Sequence, residues 1–123
     1  MGHLPREVRL MGMSFIPYET IDYVHTINIA LQKVFEARMG VRDSITFERY
    51  LKAVESLYVI LIPRLRPRKV RELLRKARAR DSEFGYYTQE NLEALDEAVG
   101  LIIDTLDRNR LLIKGEVYEE EKL

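Results

Sequence analysis

The chain has 123 residues, 46% hydrophobic and 33% charged, with 20 Lys+Arg balancing 20 Asp+Glu. That composition excludes a disordered polyelectrolyte, and the lack of cysteine excludes disulfide frameworks, thiolate metal sites and cysteine nucleophiles. The length suits one domain, in the range that buries roughly two-thirds of its unfolded surface.

Residues 1–16 read as a mobile N-terminal arm. Arg6, Glu7 and Arg9 interrupt any signal-like apolar core. The longest strongly apolar run, 57–62, falls far short of the roughly 20 residues that span a bilayer, so a soluble, cytoplasmic protein with no membrane partner is expected. Arginine outnumbers lysine 14 to 6, with three Asn and two Gln, a thermophile-like balance.

The periodicity predicts a first helix over about 17–39, with Pro17 in its first turn and Gly40 as its stop. Ile21, Val24, Ile27, Leu31, Val34 and Phe35 share one side, which Tyr23, Ala30 and Ala37 widen. Asn28 falls inside this arc, where it either fixes a helical seam or satisfies a backbone carbonyl at the core edge. A second helix is expected over about 47–62. Phe47, Tyr50, Leu51, Val54, Leu57, Tyr58 and Leu61 follow the i, i+3, i+4 rule, and Pro63 ends it.

A third helix, about 67–80, carries a narrow stripe of Val70, Leu73, Leu74 and Ala77. An aromatic loop follows, and a fourth helix is expected from an N-cap at Thr88 to about Arg110, with Leu92, Leu95, Val99, Ile102 and Leu106 facing inward. Residues 111–118 read as a frayed helix end, with a short hairpin through Lys114-Gly115 as the alternative. The expected fold is all-α: an antiparallel bundle of about four helices with short loops over 17–113, then an acidic C-terminal tail at 114–123.

No catalytic residue, metal site, cofactor or small-molecule substrate is expected. His25 lies on the polar side of the first helix beside Gln32 and Glu36, and no Glu-x-x-His occurs. The fourth helix carries Glu90, Glu93, Asp96, Glu97, Asp104 and Asp107, but Glu93, Glu97 and Asp104 sit roughly 100° or more from its apolar stripe. The six glycines are scattered and form no phosphate-binding loop.

The neutral total hides a segregation. Residues 64–80 hold Arg64, Arg66, Arg68, Lys69, Arg71, Arg75, Lys76, Arg78 and Arg80, nine cations against Glu72 alone, a net +8. Residues 81–123 hold 12 acids against four bases, a net −8. The cations have three readings: internal pairing with the acidic fourth helix, contact with DNA or RNA phosphates, or docking of an acidic partner. With the second helix and its connector, the third outlines a helix-turn-helix. Ala94, Ala98, Leu101 and Thr105 form a small-residue stripe suited either to a homodimer interface or to a second neighbour within the chain. The function expected is a small, non-enzymatic helical interaction or assembly module whose partner is a second copy or another protein. The alternative is a nucleic-acid-binding accessory protein using 64–80.

Overall fold

The computed structural model describes residues 7–9, 15–65, 67–79 and 86–113, with side chains from residue 22 onward. Two short strands, β1 (Glu7–Arg9) and β2 (Phe15–Pro17), pair antiparallel with Val8 opposite Ile16. This pairing lies in the segment expected as an arm, and β2 runs directly into the first helix. The body is four helices: α1 (Tyr18–Met39), α2 (Ser44–Leu61), α3 (Val70–Arg78) and α4 (Gln89–Arg108). The expected tail at 114–123 lies outside the described residues.

The helix starts follow from capping chemistry. Asp43 caps α2: its carboxylate accepts from the Thr46 backbone N–H at 2.8 Å, and the Thr46 hydroxyl accepts from the Asp43 N–H at 2.9 Å. This reciprocal box draws the start of α2 back to Ser44, three residues before the predicted onset at Phe47. Thr88 and Asn91 make the equivalent box on α4, whose start is where Thr88 predicts it.

The helices form two hairpins laid on one another. Tyr23, near the start of α1, donates to the carbonyl of Ile60, near the end of α2, at 3.5 Å, so these two run antiparallel. Asn91 at the start of α4 donates to the carbonyl of Lys76 at the end of α3, at 3.0 Å. The core between the hairpins includes Ile27, Val34, Phe47, Leu57, Leu95, Ile102 and Leu106, all fully buried. Each such side chain contributes about 1.5–3 kcal/mol by leaving water. Phe47 also stacks on Tyr87 with ring centroids 4.6 Å apart, tying the start of α2 to the approach to α4.

Two expectations are corrected. Phe35 is 46% exposed, because α1 buries the line Ile27, Leu31 and Val34 and leaves that flank of its wide arc unpacked. The third helix is shorter at both ends than 67–80: Lys69 adopts a left-handed backbone (φ 70°) and cannot continue it, and at the other end Ala79 leaves the helical region (ψ 69°). Residues 111–113 are irregular, with no strand among them, and the rest of the 111–118 candidate lies outside the described residues.

Asn28 resolves as a core-edge amide within the chain. Its Nδ2 donates to the carbonyls of Val24 at 2.7 Å and Leu111 at 2.8 Å, and its Oδ1 accepts from the N–H of Ile113 at 3.1 Å. The chain leaving α4 is thereby fastened along α1.

Candidate functional site

α3 is a weak helix by its own chemistry. Its N-cap, Lys69, makes no side-chain capping bond and sits in a backbone region that costs a non-glycine residue about 1–2 kcal/mol. Burial of Val70, Leu74 and Ala77 holds the helix in place, and Arg75, Lys76 and Arg78 complement the negative end of its dipole. A narrow stripe docks it, with Leu73 half-buried at its edge, so its charged side chains face water. Arg68, Lys69, Arg71, Arg75, Lys76 and Arg78 are exposed.

Of the predicted cationic set, these six are brought together. Arg64 is diverted: its guanidinium lies over the Tyr23 ring, 4.3 Å from the centroid, on α1. Burial raises the Tyr23 hydroxyl above its ordinary pKa, and the Arg64 charge partly offsets that rise. Arg66 and Arg80 lie outside the described residues. Arg78 pairs with Glu55 of α2. Among the described residues, Arg68, Lys69, Arg71, Arg75 and Lys76 find no carboxylate partner.

The acids of α4 do not meet them. Glu90, Glu93, Glu97 and Asp104 are exposed on the outer face of α4. The flank that receives α3 carries Asn91, which bonds Lys76, and in the same helical register Ala94 and Ala98. This corrects the homodimer reading of Ala94, Ala98, Leu101 and Thr105. The first two and Thr105 are buried within the chain and Leu101 is half-buried, so the stripe faces neighbours inside the bundle.

One acid of α4 turns inward. Arg38 of α1 donates through Nε to Asp96 Oδ1 at 2.8 Å and through NH2 to Oδ2 at 3.1 Å, and the Tyr50 hydroxyl of α2 donates to the same Oδ1 at 2.5 Å. The Arg38 guanidinium also sits 5.8 Å from the Tyr50 ring centroid. Burial first, and the bond to Asp96 second, push the Tyr50 hydroxyl far above the usual tyrosine range. The bond to Asp96 likewise raises Arg38. Sequence reasoning missed this cluster, although a signal existed. Arg38 continues the buried register of Leu31 and Val34 at i+7 and i+4, where a cation demands an acceptor.

His25 is exposed. Among the described residues, no three His, Asp or Glu side chains gather where they could hold a metal ion, and no helix is long and apolar enough to cross a membrane. The fold and the exposed cations together define an all-α four-helix bundle with a charged outer face. Comparison of the chain with protein-family models, with curated proteins and with solved structures finds no match.

Proposed function

We propose that the chain is a small, non-enzymatic binding module that works through the outer face of α3. The observation that carries this reading is the solvent position of Arg68, Lys69, Arg71, Arg75 and Lys76 while Glu93, Glu97 and Asp104 occupy a different outer face. Pairing with Glu93, Glu97 and Asp104 would require those two faces to meet, and the register of α4 that faces α3 runs instead through Asn91, Ala94 and Ala98. A concentrated single-sign surface on a neutral protein is suited to recruiting an oppositely charged partner, which it steers and orients.

A second reading is assembly through opposite poles, with α3 of one copy against Glu93, Glu97 and Asp104 of another. It draws support from the same separation of faces. Such a contact joins two unlike surfaces and closes into a dimer or ring only if the rotation permits.

The test compares wild type with Arg71→Glu/Arg75→Glu at low and moderate salt, by elution from a phosphocellulose column and by molar mass from light scattering. Wild type is expected to bind the matrix or associate at low salt, and the variant to lose both. Equal elution and equal mass for the two proteins would remove α3 as the working surface.

A further inference from the structure

We infer that the partner of the α3 face is the phosphate backbone of a double-stranded nucleic acid, gripped without reading its bases; the inference rests on the α3-face reading above. Three observations on the same helix point this way.

The face has no apolar anchor. The large hydrophobic side chains exposed on the helices are Ile29, Phe35 and Met39 of α1 and Ile45 and Val59 of α2, whereas the exposed residues of α3 are arginine, lysine and Glu72, with Leu73 half-buried against the core. Protein–protein contacts draw their affinity from a desolvated apolar or aromatic centre inside a polar rim. Contacts to nucleic acid are more polar and far more positively charged. A surface that is all rim suits phosphates.

The cations are spaced along a rigid rod. Arg71, Arg75 and Arg78 lie at i, i+4 and i+7 on one flank, with Lys69 and Lys76 on the other, so charges recur along a helix about 13 Å long at 1.5 Å per residue. No aromatic residue is interleaved among them. Single-strand binders combine a basic groove with aromatic platforms for unstacked bases, so a bare basic rod favours the duplex.

The geometry that reads bases is missing. Eight residues, 62–69, separate α2 from α3, where a helix-turn-helix uses a turn of about 3–4. The α3 segment also offers no Asn, Gln, Ser or Thr to base edges, so its only groups able to read a base are the same arginines and lysines that take phosphates. The helix-turn-helix outlined by the sequence is therefore not formed, and phosphate contact is what the cations are equipped for.

Glu55 tunes the face, since it holds Arg78 and lowers the charge available at the C-terminal end of α3.

The experiment is fluorescence anisotropy with a labelled mixed-sequence duplex of about 20 base pairs, as DNA and as RNA, at salt from about 50 to about 200 mM. Wild type, Arg71→Gln/Arg75→Gln and Glu55→Gln are compared, with equal melting temperatures showing that each is folded. Five engaged cations predict a slope of log K against log salt near −4.5, a several-hundred-fold loss across that range. The double variant should bind at least about tenfold more weakly at the low end, with a slope shallower by about 2. Glu55→Gln should bind more tightly. A duplex signal unchanged in the double variant overturns the inference, and so does a preference above about tenfold among duplexes of different sequence. If no duplex is bound but wild type gains mass at low salt and the double variant does not, the partner is a second copy. The duplex inference then falls while the α3-face reading stands. If neither duplex binding nor mass depends on these arginines, both fall.

Discussion

The cluster around Asp96 and the face of α3 handle charge in opposite ways. At Asp96, a cation from α1, a carboxylate from α4 and a phenol from α2 close on one another between helices. Along α3 and just before it, five cations stay in water, none of them paired with a carboxylate among the described residues. The difference lies in register. Tyr50 sits in the buried line of α2, where its hydroxyl needs a partner, and Arg38 at the edge of α1 shares that partner, Asp96. The cations of α3 sit outside a stripe of three buried residues, so the fold places no demand on them. Charge in the first region belongs to the architecture; charge in the second makes no contact that the described fold needs.

The sharpest way to break this contrast is at Tyr50. Tyr50→Ala removes a side chain only 1% exposed and is expected to cost about 3–5 kcal/mol in chemical denaturation. Tyr50→Phe, which deletes only the hydroxyl, should cost about 1 kcal/mol. Equal losses for the two would mean that the hydroxyl carries the stability and the ring does not.

Asp96→Ala comes next, at about 2–3 kcal/mol. It strands the Tyr50 hydroxyl, while the half-exposed ion pair with Arg38 adds little in water. A double-mutant cycle with Tyr50→Phe should recover most of that loss as coupling, and additivity would dissolve the cluster as a unit.

Asn28→Ala should cost about 1–2 kcal/mol and speed hydrogen exchange at the Ile113 amide before that of α4. Unchanged exchange there would show that 111–113 is held by other contacts.

A smaller effect separates paired from unpaired charge by pH. The Thr46 backbone N–H holds the Asp43 carboxyl below its ordinary pKa, so the unfolded chain takes up that proton first. Its stabilisation is present above about pH 4 and lost as pH falls through the lower folded value. The melting-temperature gap between wild type and Asp43→Asn should therefore narrow from neutral to acid pH; a constant gap would contradict it.

Smallest of all, Arg71→Gln/Arg75→Gln should change stability by no more than about 0.5 kcal/mol. A loss above about 1 kcal/mol would mean that these arginines serve the fold, as Arg38 does.

Much of this was legible in the chain. The 3.6-residue spacing, Pro63 after α2 and Thr88 before α4 mark local events, governed by residues a few positions apart, and the helices appear where they predict. The cationic run was equally legible, because it depends on composition alone. Boundaries failed where a single side chain or backbone angle decided them, as at the Asp43–Thr46 box and at Lys69.

Neighbours were another matter. A helical wheel gives the angle of Asp96 or Ala98 relative to its own stripe but says nothing of which helix lies across that angle. Burying Ala94, Ala98 and Thr105 inside the bundle turned a candidate dimer surface into core, and Glu93, Glu97 and Asp104 face outward, away from the cations that one reading paired them with. The charge on each helix is therefore a property of the chain. Whether two charged faces meet depends on which small or large side chains let their helices approach, and only the assembled bundle decides that.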